Sequence, residues 1–319
     1  MSRNVVAWGR QVLARHGRRL LSVLMVAAIF AVLGWSVIGE WDTVKHYPWQ
    51  LEIAPLVLAS AFHSLALGVT FVVWHLMIRR LGHFADVRRN AYIYYVSTLA
   101  KRVPGAIWYI SGRLLMYQEE GVTKPAVLNA TILETVLIGS AGALVYVMLL
   151  PFYAYDSTRA NWIIATIGLV AIGLFSVRPR LLLDATNYFL RRWKRTPIEV
   201  DLTRQDLILW AVLYMLPGPV SGVSLYFLIR AVTAATMPDL VSAMVVWTLS
   251  MLVGLMTMVL PGGLGLKELA LATLLSQWMP LSAGVVVAVA FRLLQTFDDA
   301  AWAAVVWVLF GRREMSGDR

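Results

Sequence analysis

The chain has 319 residues, of which 59% are hydrophobic and only 14% charged, and it carries a net charge of +10. A soluble domain is about half apolar and about a quarter charged, so one soluble core is excluded; apolar runs of about 18 or more residues recur and point to a bilayer as solvent. The absence of cysteine excludes disulfides, iron–sulfur clusters and thiolate metal sites, and 23 Arg against 5 Lys fit loops that meet anionic headgroups, not nucleic acid.

Taken in chain order, Arg3, Arg10, Arg15, Arg18 and Arg19 precede an apolar run over 20–38. That run exceeds the roughly 7–15 residues of a signal-peptide core and no small-residue cleavage site follows, so a retained first span is expected. Full spans are then predicted over 53–78, 125–150, 161–177, 207–229 and 281–310, making six. No alternation in segments of about ten residues suggests a barrel, so the fold class is an all-α polytopic membrane protein, with 1–319 a single transmembrane domain. Two further apolar stretches, 91–116 and 240–279, are interrupted at Pro104-Gly105 and at Pro261-Gly262-Gly263. The stretch 178–206 is basic and contains LLLDATNYFLRRWKR, which reads as a cytoplasmic linker with an interfacial helix.

Charge orients the spans. Nineteen basic residues fall in segments on one side, against Lys45, Arg159 and Arg230 on the other. The positive-inside rule therefore places both termini in the cytoplasm, with the chain in the cell inner membrane. Six full crossings already return the chain to its starting side, so the two broken stretches together cross an even number of times. The simplest solution is two re-entrant helical hairpins, the first entering from the cytoplasm and the second from outside. A rival solution lets 240–260 cross fully and 264–279 cross back. Irregular backbone at membrane depth must be covered by protein or line a wet cavity.

The two broken stretches resemble each other. Pro104 lies 30 residues before Glu134, and Pro261 lies 31 before Arg292. The order span, span, hairpin, span occurs in 20–150 and again in 161–310. Three full crossings per half put the copies in opposite orientation, which is an inverted-topology repeat.

Ionisable residues inside membrane spans are functional candidates. Glu134 and Arg292 occupy equivalent places in the two copies, and inverted symmetry predicts that they approach each other as an ion pair lining a shared cavity. Arg292, Gln295, Thr296 and Asp299 recur at helical spacing and form one polar face. That face should meet the protein interior or water, with Asp299 a candidate substrate-binding residue; Asp298 lies off it and is expected to approach the cytoplasmic interface. Lys267 and Glu268 follow Gly265 at the start of a half-helix, where free backbone N–H groups favour an anion; Arg113 has the comparable place in the first copy. His63 and His75 share no face and have no metal-ligand spacing, so neither a metal nor a cofactor is predicted. Ser97, Ser111 and Thr131 read as helix-packing groups, and Trp108, Trp210, Trp247, Trp278, Trp302 and Trp307 as interfacial belts.

The motifs PGAIWYISGR with EEGVTKPAVLNATILE, and PGGLGLKE with a span containing FRLL, resemble the lysylphosphatidylglycerol synthase transmembrane-region family, also called flippase-like membrane proteins. The resemblance extends over roughly 20–310. It implies that Pro104, Gly105, Arg113, Glu134, Pro261, Gly262, Gly263, Gly265, Lys267, Glu268 and Arg292 are motif positions. Lys267, where the family commonly has Arg, and Ala106-Ile107, where a second glycine is frequent, depart from the pattern. Fused members carry a separate soluble aminoacyl-transfer domain that this sequence lacks, so no synthase activity is expected. The expected function is a non-enzymatic flippase. It would move an anionic or aminoacylated phospholipid, or a polyprenyl-linked headgroup, through a polar intramembrane cavity. Membrane lipids are the expected partners. Two other readings stay open: an accessory membrane subunit of a lipid or glycan biosynthetic enzyme, and an intramembrane lipid-modifying enzyme.

Overall fold

A computed structural model of the protein describes residues 37–100, 106–153, 202–234, 239–258 and 265–310, with scattered positions in 31–35 and 184–197. Most of the expected span over 20–38, the span over 161–177, most of 178–206, and the motif residues Pro104, Gly105, Pro261, Gly262 and Gly263 lie outside the described residues.

The described chain is helical: α1 (Trp41–His46), α2 (Ile53–Leu81), α3 (Val87–Leu99), α4 (Ala106–Glu119), α5 (Lys124–Leu149), α6 (Arg204–Tyr214), α7 (Pro217–Val232), α8 (Leu240–Met258), α9 (Leu266–Leu275) and α10 (Leu281–Phe310). Four stretches among the described residues are long and apolar enough to cross a membrane: Ile53–Leu81, Lys124–Phe152, Arg204–Val232 and Leu281–Phe310. They coincide with the four expected spans in the described region. This is a multi-pass membrane protein.

Sequence chemistry accounts for the ends and breaks. Asp86 caps α3 by accepting from the Arg88 and Arg89 N–H groups at 2.9 and 3.1 Å. Thr203 and Asp206 form a reciprocal capping box on α6. The single helix expected over 207–229 is in fact two, because Pro217 and Pro219 lack the N–H groups needed to continue it; α7 restarts at Pro217. Gly265 has φ +97°, a left-handed conformation open to glycine, and it turns the chain into α9.

Helix length separates two kinds of element. At 1.5 Å per residue α2 and α10 extend about 43–45 Å, whereas α3, α4 and α9 reach only about 15–21 Å, short of a hydrocarbon core about 30 Å thick. Contacts sort the helix ends into two groups. At one end, the loop before α2 pairs with the end of α7: Gln50 N–H donates to Val232 O at 3.0 Å and Glu52 N–H to Ala231 O at 2.9 Å. Tyr153 packs on the same apolar cluster as Tyr47, Trp49 and Val232 and donates to Gln277 Oε1 at 3.1 Å. At the other, Arg80 meets Asp206 at 3.3 Å and Arg89 pairs with Glu120, joining the start of α3 to the end of α4. This second end is the basic one, with Arg79, Arg80, Arg88, Arg89 and Arg204.

Packing is reciprocal between the two halves. α3 packs on α10 and α8 on α5; α3 packs on α4 and α8 on α9; α4 packs on α5 and α9 on α10; and α2 packs on α7. The α7–α8 crossing is close because Gly222 has no side chain; a Cβ there would stand 2.4 Å from Met244 Cα. Two main apolar clusters result. One joins α2–α6 around Trp74, Tyr94, Leu133 and Trp210, and the other joins α7–α10 around Leu228, Val246, Leu271 and Phe291.

Candidate functional site

Two ion pairs lie beside the two helix breaks. In the first half, Arg113 on α4 is fully buried, and its Nη1 donates to Glu134 Oε2 on α5 at 2.9 Å. Its Nε donates to Ser97 Oγ on α3 at 3.3 Å, and Tyr109 OH donates to the same Glu134 oxygen at 3.3 Å. The guanidinium sits among rings: its Cζ is 3.9 Å from the Trp74 ring centre, 4.4 Å from Tyr109 and 5.0 Å from Tyr94. A flat, weakly hydrated cation suits such an aromatic box better than an ammonium would.

Further hydrogen bonds fix the box. Trp74 Nε1 donates to Tyr117 OH at 2.7 Å, Tyr117 OH donates to Asn90 Oδ1, and Asn90 Nδ2 lies 2.7 Å from His75 Nδ1. Even so, Arg113 Nη2 and Glu134 Oε1 are buried without a hydrogen-bond partner. A donor on the cation and an acceptor on the anion are therefore both left over.

In the second half the order of charges is reversed. Glu268 on α9 accepts from Arg292 Nη1 on α10 at 2.6 Å, and its other oxygen accepts from the Gly265 N–H at 3.0 Å. This pair is more open, with side-chain exposures of 23% for Arg292 and 11% for Glu268, against 0% and 4% for Arg113 and Glu134. A second cation stands beside it. Lys267 Nζ lies 4.0 Å over the Trp247 ring and donates to Gln295 Oε1 at 3.4 Å. Gly254 makes room for the lysine stem, since a Cβ at that position would stand 3.3 Å from Lys267 Cβ.

These contacts correct the expected pairing. Glu134 binds Arg113 and Arg292 binds Glu268, so each half closes its own pair and Glu134 and Arg292 are not partners. The reason is local: the helix after each break packs directly on the helix that follows it, and the charge on one meets the charge on the other. Asp298 and Asp299 are both buried in the bundle, Asp299 as its place on the polar face predicts and Asp298 contrary to its expected exposure. They are 3% and 2% exposed and face α2, where Ser60 Oγ donates to Asp298 at 2.6 Å and His63 Nε2 lies 3.5 Å from Asp299. His63 and His75 therefore both have polar neighbours, and Trp210 and Trp247 are buried rather than placed in belts. Ser97 does more than pack, since it accepts from Arg113. The polar face of α10 is divided: Arg292 and Gln295 serve the α9 site and Asp299 serves α2.

Several site residues went unnoticed in the sequence: Trp74, Asn90, Tyr94, Tyr109 and Tyr117. A signal was present, because Tyr109, Arg113 and Tyr117 are spaced by four and share one helix face. Among the described residues no group of three or more His, Cys, Asp or Glu could hold a metal ion.

The fold and the paired charges define a class: a polytopic helical membrane protein that holds one buried and one more open Arg–Glu pair between its helices. The chain belongs to the family described as Lysylphosphatidylglycerol synthase TM region, which matches residues 19–301. No curated protein matches the chain.

Proposed function

We propose that this protein is a lipid flippase. It passes the headgroup of an anionic or aminoacylated phospholipid, or of a polyprenyl-linked lipid, between the leaflets of the inner membrane, without catalysis or a cofactor. One observation carries the reading. Arg113 Nη2 and Glu134 Oε1, both buried at a helix break, lack hydrogen-bond partners. A buried polar atom left unpaired is costly, and a headgroup bearing a phosphate and an ammonium would supply both partners. In the second half Arg292 and Lys267 stand beside Glu268 at partly exposed positions, where two neighbouring cations favour a phosphate. Bonds that replace hydration are what a headgroup needs to cross the hydrocarbon core.

The reciprocal packing supports an inverted repeat, with α3–α4 and α8–α9 as re-entrant hairpins. The Arg89–Glu120 contact joins the open end of the first hairpin, and three of the four helices in the two hairpins, α3, α4 and α9, are too short to span. The basic end then faces the cytoplasm, as the positive-inside rule requires. Membrane lipids are the partners in this reading.

The test uses liposomes containing a trace of fluorescent phosphatidylglycerol and the purified full-length protein, with leaflet exchange followed by quenching of outer-leaflet dye. Exchange faster than in protein-free liposomes is expected, with Arg292→Gln and Lys267→Gln slowing it by about tenfold, the equivalent of about 1.4 kcal/mol. Exchange equal to that of empty liposomes overturns the proposal. A biosynthetic enzyme that then co-purifies would favour an accessory subunit, and lipid turnover in detergent would favour an enzyme.

A further inference from the structure

A groove of about 610 Å³ opens on the flank of α2. Its floor follows α2 from Ala61 to Val72, and its walls come from Tyr95 on α3, Leu213 and Leu216 at the α6–α7 break, and Trp302 on α10. The break at Pro217 explains the hollow, because a continuous straight helix would carry those leucines differently across α2. Gly68 forms a notch in the floor: a Cβ there would meet nothing within 4 Å. The lining is almost wholly apolar.

One end of the groove is closed by polar contacts. Trp302 Nε1 donates to Ser64 Oγ at 2.9 Å, and one helical turn further lie the Ser60–Asp298 bond and the His63–Asp299 pair. Tyr95 stacks on Trp302 with ring centres 5.8 Å apart and holds that closure. From the closure the groove runs toward the basic end of the bundle.

We propose that this groove binds one acyl chain of a phospholipid in the leaflet at the basic end. Length and polarity argue for that occupant. The floor from 61 to 72 is about 16 Å of helix, which is one leaflet's share of a hydrocarbon core about 30 Å thick, so a single hydrocarbon chain lying along it ends within that leaflet. The polar closure stops the chain at mid-depth, since carrying methylenes past the buried aspartates would strip charged groups of their partners. A lipid seats here whether or not headgroups cross the membrane, so this inference stands apart from the transfer reading.

The experiment uses the full-length protein in nanodiscs of phosphatidylethanolamine and phosphatidylglycerol. A trace of phosphatidylglycerol carries a mid-chain diazirine, and photolabelled peptides are mapped. Labelling at 61–72 and 213–216 is expected to exceed that of the exposed α10 stripe Val289, Leu293 and Phe297 by about tenfold, a margin of about 1.4 kcal/mol. Gly68→Leu, which fills the notch, should remove the groove label and leave the α10 label unchanged. Equal labelling of groove and stripe overturns the proposal, as does a groove label indifferent to Gly68→Leu. A groove left unlabelled in a protein that migrates as a dimer assigns the surface to a second copy and also overturns it. If Gly68→Leu does not fold, the wild-type ratio of groove to stripe decides alone.

Discussion

Removing the charge of Glu134 should cost far more than removing that of Glu268, although both accept from an arginine. Two unit charges about 4 Å apart attract by about 4 kcal/mol at an effective dielectric of about 20. Breaking a buried pair costs about 3–5 kcal/mol, because the remaining charge is stranded away from water. Arg113 is fully buried and its partner is 4% exposed, so Glu134→Gln leaves a guanidinium with no counter-ion. The glutamine oxygen can still accept from Arg113 and Tyr109, which returns about 1 kcal/mol. The expected loss is therefore about 2–4 kcal/mol. At the second site Arg292 is 23% exposed and solvent screens its charge, so Glu268→Gln should lose about 1 kcal/mol. Unfolding by sodium dodecyl sulfate in mild detergent, followed by tryptophan fluorescence, measures both variants against wild type. The double variant Arg113→Met/Glu134→Leu should recover at least half of the Glu134→Gln loss, since a packed apolar pair often replaces a buried ion pair without net cost. A Glu134→Gln protein within about 1 kcal/mol of wild type, or a Glu268→Gln loss as large as that of Glu134→Gln, would refute the claim that the first pair is the more deeply buried of the two.

Other consequences can be measured on the same preparations. Lys267→Gln and Arg292→Gln should weaken retention of phosphatidylglycerol in native mass spectrometry by about tenfold while unfolding within about 1 kcal/mol of wild type. Gly222→Val should cost about 1–3 kcal/mol, because even its Cβ would stand 2.4 Å from Met244 Cα; denaturant midpoints test this. Ser60→Ala should cost about 1.5–3 kcal/mol by deleting the 2.6 Å bond to the buried Asp298 carboxylate, and the α2–α10 seam should then exchange amide hydrogen faster.

The spans could be read from sequence because hydrocarbon imposes one simple demand, a long run of apolar side chains, and four of the six expected runs recur as described helices. The segments around Gln50 and Val232, placed on one side by charge arithmetic alone, pair with each other. Pairing of the buried charges was less accessible. A similar spacing after Pro104 and Pro261 does not say which side chains touch, and Glu134 and Arg292 each pair with a residue of the preceding helix instead of with each other. The box around Arg113 was partly written in the Tyr109, Arg113 and Tyr117 spacing. Trp74 and Tyr94 come from other helices, and only packing brings them in. The kink at Pro217 was overlooked because mean hydropathy stays high through a proline, although the lost N–H groups divide the helix. The burial of Asp298 and Asp299 depended on Ser60 and His63, polar residues on a helix more than 200 positions away.

The reversed order of charge in the two halves has a physical consequence. Each half is neutralised by its own Arg–Glu pair, but only position 113 has an aromatic box and only position 268 also caps a glycine N–H. Exchanging the charges within the first pair, Arg113→Glu with Glu134→Arg, would preserve the ion pair on paper. It would also put a carboxylate against the faces of Trp74, Tyr94 and Tyr109, whose negative quadrupoles repel an anion. The lost cation–π contacts are worth about 2 kcal/mol when desolvated. The exchanged protein should therefore remain at least as unstable as Glu134→Gln in the same detergent titration. If it regained wild-type stability, the rings would be only a wall around the pair. If it does not, α4 and its aromatic neighbours are built to hold a cation at 113, and the two sites differ in kind: a deeply buried Arg–Glu pair in an aromatic box, and a more exposed one with Lys267 beside it.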